Sequence, residues 1–150
     1  MDDLQAPIVM LATPPTRVLV IDDSNTIRRS AEIFLRQGGH EVVLAEDGFD
    51  ALAKVNDHAP QLIFCDILMP RLDGYQTCAI IKRNPKFAHV PVIMLSSKDG
   101  LFDKARGRMV GSEDYLTKPF TKDQLLRAVQ QFGGAVAPDG SAVVDTVPGA

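Results

Sequence analysis

Three aspartates, a serine and a lysine stand where apolar runs stop. Asp22-Asp23 follow Val18 to Ile21, Asp66 follows Leu62 to Cys65, Ser96-Ser97 follow Val92 to Leu95, and Lys118-Pro119 follow Tyr115 to Thr117. Carboxylates gathered at one place repel one another, so such a group needs a cation or a raised pKa. An all-oxygen set of two carboxylates, a main-chain carbonyl and water suits Mg²⁺, which keeps part of its water shell and leaves room for a phosphate oxygen. A carboxylate can also attack phosphorus and form an acyl phosphate. The charge so gained needs ammonium and hydroxyl partners, for which Lys118 and Ser96 are candidates. Taken singly, each acid could cap a helix or a turn, a lone lysine is more often solvated, and a lone serine is more often a turn residue. Their joint recurrence at strand ends favours the pocket.

That chemistry depends on elements able to bring the five residues together. Between residues 17 and 132, apolar runs of strand length alternate with segments of helical period, as in βα units around a parallel sheet. The strands are predicted at Val18–Ile21, Glu41–Ala45, Leu62–Cys65, Val92–Leu95 and Tyr115–Thr117. The first helix, capped by Ser24 or Asn25, would turn Ile27, Ala31, Phe34 and Leu35 inward. The second spans Gly48–Val55, with Phe49, Leu52 and Val55 at helical spacing. The third spans Gly74–Arg83, with Cys78, Ile81 and Tyr75 as inner candidates. A fourth, about Leu101–Val110, is interrupted by Gly107, and the last runs from Thr121 to about Phe132, opened by the capping-box spacing of Thr121 and Gln124.

The expected architecture is α/β, a doubly wound five-stranded parallel sheet in the order 2-1-3-4-5 with five helices. In such sheets ligands bind beyond the carboxyl ends of the strands, where the order reverses. Strands one and three would then be neighbours about 4.8 Å apart, bringing Asp22, Asp23 and Asp66 into one pocket.

The bulk properties agree with one globular domain. The 150 residues are 45% hydrophobic and 23% charged, with a net charge of −3. Residues 1–16 and 133–150, rich in proline and glycine respectively, read as disordered tails around a domain at 17–132. They hold four acids and no lysine or arginine, so removing them takes the charge from −3 to +1. A near-neutral domain lacks the concentrated basic face of a nucleic-acid binder. The early apolar stretch Ile8–Ala12 is too short to span a bilayer, and Asp2 and Asp3 sit where a secretory signal would carry positive charge. No membrane insertion and a cytoplasmic location are expected. Cys65 and Cys78 have no metal or disulfide spacing and read as buried thiols.

Ile21-Asp22-Asp23-Ser24, Asp66 with Met69-Pro70-Arg71-Leu72-Asp73-Gly74, Leu95-Ser96-Ser97 and Lys118-Pro119-Phe120 together resemble, in order and spacing, the receiver domain of two-component response regulators. The resemblance covers about residues 17–132 and implies the flavodoxin-like, CheY-like fold. It implies that Asp66 is the phosphoacceptor for a histidine kinase. By the same resemblance Mg²⁺ is held by Asp23, Asp66 and the carbonyl of Leu68, with Asp22 acting through water, while Ser96 and Lys118 contact the phosphoryl group. It also implies a cis Lys118–Pro119 bond, and a switch in which Ser96 and Tyr115 move and alter the face of helix four, strand five and helix five, where a downstream protein would bind. Leu68 and Lys98 fall at positions that tune phosphoryl lifetime in the family; the apolar Leu68 implies slow unaided hydrolysis. A narrower likeness, in Gly74–Cys78, Leu95–Gly107 and Tyr115–Phe120, is to single-domain regulators of chemotaxis-like pathways that control type IV pili and twitching motility.

Two other readings stay open at this stage. A haloacid-dehalogenase-like phosphohydrolase would want Asp-x-Asp after the first strand, where this chain has Asp22-Asp23-Ser24. A pseudo-receiver would serve only as a docking scaffold. Nucleotide binding is poorly supported, because no G-x-G-x-x-G follows the first strand.

Overall fold

Side chains alternate across a strand, so a parallel sheet with apolar residues at every position must be covered on both faces. The three central strands have that character along most of their length. The structure is a computed structural model describing residues 15–97 and 103–133. In chain order the elements are β1 (Arg17–Ile21), α1 (Asn25–Gln37), β2 (Glu41–Ala45), α2 (Gly48–His58), β3 (Leu62–Asp66), α3 (Gly74–Arg83), β4 (Val92–Ser97), α4 (Lys104–Met109), β5 (Asp114–Lys118) and α5 (Lys122–Ala128), the last continuing as a wider helical turn over Val129–Gly133. The five parallel strands lie in the order β2-β1-β3-β4-β5, as expected from the sequence.

One sheet face carries Leu19, Ile21, Ile63, Cys65 and Met94, covered by Ala51 and Val55 of α2 and by Tyr75, Cys78 and Ile81 of α3. The opposite face carries Val18, Val20, Leu62, Phe64, Ile93 and Leu95, covered by Ala31 and Leu35 of α1 and by Leu125, Ala128 and Val129 at the end of the chain's last helix. Ile27, Phe34, Leu126 and Phe132 are half-buried against that second cluster. Folding uses the chain slightly beyond the predicted span: Thr16 is buried, and a side chain on Gly133 would collide with Thr16. The remainder of the two predicted tails, and Lys98, lie outside the described residues.

Helix starts follow the local chemistry. Ser24 accepts from the Ile27 amide, and both Asp73–Gln76 and Thr121–Gln124 form reciprocal capping boxes, each satisfying two amides that have no partner inside the helix. One expectation is corrected. Phe49 does not face the core; it is 52% exposed. Gly48, Ala51 and Val55 occupy the inner face of α2, which turns Phe49 outward, and the Arg71 guanidinium sits 5.1 Å from its ring centroid.

Candidate functional site

Register sets the site. Ile21 pairs with Cys65 across β1 and β3, so the next residues, Asp22 and Asp66, leave the sheet at the same level. Asp66 pairs with Leu95 of β4, and Ser97 of β4 pairs with Lys118 of β5, which places Ser96 and Lys118 at the same edge. Four of the five strands therefore deliver the residues identified from sequence to one place.

Carboxylate oxygens of Asp22, Asp23 and Asp66 all lie within 4.8 Å of one another. Asp22 is fully buried and Asp66 is 3% exposed, whereas Asp23 faces solvent. The Lys118 ammonium donates to Asp22 Oδ2 and to Asp66 Oδ1, both at 3.0 Å. Asp22 also accepts from the Ser24 amide through Oδ1 at 2.9 Å, and its main-chain carbonyl accepts from Arg28. The peptide bond between Lys118 and Pro119 is cis.

One ammonium does not neutralise three neighbouring acids. Burial, reinforced by the negative charge of Asp22 and a hydrogen bond with Asp23, pushes Asp66 up to about 7 even though Lys118 opposes the shift. Burial by itself would lower Lys118, but its hydrogen bonds and charge interactions with Asp66 and Asp22 outweigh that, and its pKa is raised. The pocket thus retains unmet negative charge on hard oxygen donors. That donor set fits a divalent cation such as Mg²⁺.

The other predicted residues are arranged around this centre. Ser96 is buried, and its hydroxyl donates to the Ser97 carbonyl at 3.3 Å. Leu68 is 67% exposed on the loop after β3. Tyr115 is half-buried on β5, with the Lys104 ammonium 5.6 Å from its ring centroid. Cys65 and Cys78 are both buried free thiols.

Several supporting residues have no individual mark in the sequence. Arg71, in the left-handed region at φ +70°, reaches Asp47 at 3.0 Å and so ties the loop after Asp66 to the cap of α2. Thr77 is fully buried, and its hydroxyl donates to the Asp73 carbonyl at 2.8 Å. Gly74 lets α3 start against β3, since a Cβ there would lie 2.2 Å from the Asp66 carbonyl oxygen. The Asp73-Gly74 pair that ends the Met69–Gly74 motif is therefore also a place where two backbones meet.

Comparison with known proteins agrees with this geometry. A family model described as the response regulator receiver domain matches residues 18–130. Protein PilG of Pseudomonas aeruginosa is 66% identical over 122 residues, covering 81% of this chain and 90% of that protein. Protein PilH of the same organism is 35% identical over 113 residues, 75% of this chain and 93% of that one. The crystal structure of the Vibrio cholerae chemotaxis protein CheY4 matches with a TM-score of 0.75 and 31% identity, over 79% of this chain and 99% of that one. Because the family match runs from β1 through β5 and takes in every strand end that forms the pocket, the chain belongs to the response regulator receiver family, whose CheY-type members are signalling proteins rather than enzymes that turn over a substrate.

Proposed function

We propose that Asp66 accepts a phosphoryl group from a histidine kinase and that the chain signals by binding another protein according to its phosphorylation state. The observation that carries this reading is the Lys118 ammonium held 3.0 Å from both Asp22 and Asp66. It places a fixed positive charge beside a buried carboxylate that is poorly compensated by its surroundings. An Asp66 oxygen attacks the phosphorus of a phosphohistidine while the P–N bond breaks; the imidazole leaves with the bonding pair and takes up a proton, and an acyl phosphate remains on Asp66. Lys118 offsets the charge gained, and Ser96 donates its hydroxyl to a phosphoryl oxygen. Asp23, Asp66 and the Leu68 carbonyl, with Asp22 through water, would hold Mg²⁺, which would add positive charge at the phosphoryl oxygens.

The reading extends to how the state is sensed. Recruitment of Ser96 to the phosphoryl group frees space beneath Tyr115, and the face of α4, β5 and α5 repacks. The downstream target is a protein docked on that face, with neither nucleic acid nor membrane insertion involved. Among the described residues no helix is long and apolar enough to cross a membrane, and a cytoplasmic location accords with the proposed kinase partner. The 66% identity to PilG, together with the match to PilH, supports a place in a chemotaxis-like pathway controlling type IV pili and twitching motility.

The competing phosphohydrolase lacks its second acid, because Ser24, which caps α1, stands where Asp-x-Asp would need it. Incubation with Mg²⁺ and a phosphorylated kinase should add one phosphoryl group, detected by intact mass, and Asp66→Asn should abolish it. Labelling that survives Asp66→Asn would move the acceptor elsewhere. Continuous release of phosphate from p-nitrophenyl phosphate would favour the hydrolase, and normal twitching of an Asp66→Ala strain would favour a scaffold.

A further inference from the structure

Helix α4 is six residues long, and of these only Gly107 is buried. A groove of about 300 Å³, lined in part by Tyr75, Ala79, Arg106 and Val110, separates it from α3. Apolar packing between the two helices is therefore incomplete, and polar contacts bridge the gap at one end. The Tyr75 hydroxyl accepts a hydrogen bond from the Asp103 amide at 2.9 Å. Asp103 is the α4 cap and accepts in turn from the Arg106 amide at 3.0 Å. The Arg106 guanidinium lies 4.4 Å from the centroid of the Tyr75 ring and 3.8 Å from Asp73 Oδ2. Asp73 caps α3. Both the backbone and a side chain of the first turn of α4 are thus fastened to the first turn of α3.

The other end of this fastening is the pocket. Gly74, next to Tyr75, donates its amide to the Ile67 carbonyl at 2.8 Å and sits against the Asp66 carbonyl with no room for a Cβ. Tyr75 is itself 5% exposed and belongs to the same apolar cluster as Ile67 and Met69 of the loop after Asp66. A shift of that loop has a short covalent and packed path to the Tyr75 ring.

We infer that Tyr75, with Arg106 stacked on it, is a positioning residue that sets where α4 lies relative to Asp66, on a route that does not pass through Ser96 or Tyr115. Its link to signalling rests on the proposed role of Asp66; the tether itself does not. The hydroxyl supplies the direction, because it is the acceptor for the first capped turn. The ring supplies the platform on which Arg106 reaches Asp73.

The test is single-amide hydrogen exchange on the full chain, read at Gly107 and Val110, whose amides close α4, with α1 and β2 as references. Tyr75→Phe keeps the ring and removes one hydrogen-bond acceptor, a loss that translates to roughly three- to tenfold faster exchange in α4. No change is expected in α1 or β2. Arg106→Gln, at a side chain that is 52% exposed and so tolerant of replacement, should change exchange in the same direction. Wild-type exchange at Gly107 and Val110 in Tyr75→Phe would overturn the inference, as would an equal acceleration in α1, which marks general destabilisation. Adding Mg²⁺ and beryllofluoride, a phosphoryl mimic, should alter α4 exchange in the wild type and do so less in Tyr75→Phe. An unaltered α4 response in the variant overturns the coupling. Silence at every strand end in the wild type instead defeats the Asp66 reading, while the resting-state comparison still judges the tether.

Discussion

The pocket and the face of α4 and β5 are adjacent yet held together by opposite means. In the pocket, Asp22 and Asp66 are buried, their charges are opposed by Lys118 at 3.0 Å, and each sits at the end of an apolar strand. On the face, β5 is exposed or half-buried at every position, α4 is one short segment, and Met109 is 85% exposed. Cation–ring contacts, of Lys104 with Tyr115 and of Arg106 with Tyr75, are prominent there. Such contacts contribute on the order of 1 kcal/mol each at exposed sites. A buried ion pair that loses one partner costs several times more. On the function proposed above, a change of charge in the pocket is therefore comparable with the contacts that hold the face, and a partner bound at the face would bias the pocket by the same free energy. That difference in stiffness suits a molecule in which chemistry and readout would occupy different places.

The sharpest way to break the contrast is Lys118→Met. It leaves two buried carboxylates without their ammonium, and a loss of about 3 kcal/mol in urea unfolding at pH 8 without divalent ions is expected. A loss below about 0.5 kcal/mol would mean that the pocket is as loosely held as the face.

Asp66→Asn should act in the opposite direction. Folding raises the Asp66 pKa from 3.8 to about 7, so the native state holds this proton more tightly than the unfolded chain. Its favourable contribution is fully present below the unfolded value and is lost as pH rises through about 7. Wild type should therefore weaken relative to Asp66→Asn between pH 5 and pH 8, by on the order of 2 kcal/mol, as measured by paired unfolding curves without metal. Mg²⁺ at pH 8 should narrow the gap. A gap independent of pH would refute the account of the site's charge.

Gly74→Ala sharpens the boundary between the two regions. Its Cβ must displace either the Asp66 carbonyl or the start of α3, with an expected cost of about 2 kcal/mol and slower labelling of Asp66 in the same preparation. The smallest effect is expected on the face: Met109→Ser should change stability by no more than about 0.5 kcal/mol.

Much of this was legible in the chain because the sheet interior is written in long apolar runs. The limits of β2 and of α3 coincide with the predicted Glu41–Ala45 and Gly74–Arg83. The convergence of Asp22, Asp23, Asp66, Ser96 and Lys118 was legible as well, since strand ends in a parallel sheet share one edge. Phe49 was misread because the spacing it shares with Leu52 and Val55, which do pack on the core, leaves the edge of the buried stripe open; Gly48 and Ala51 occupy that edge and the ring meets Arg71 instead. The tether between Tyr75, Asp103 and Arg106 left no comparable signal. It joins residues 28 positions apart by a backbone amide, a donor that every residue except proline carries.

Lys118 follows Asp22 by 96 positions and Asp66 by 52. During synthesis, a chain that has already laid down β1 and β3 holds the acids but not the ammonium that opposes them. On the function proposed above, the charge balance that phosphorylation needs is thus among the last properties a nascent chain acquires, and chains truncated before Lys118 should fail to label.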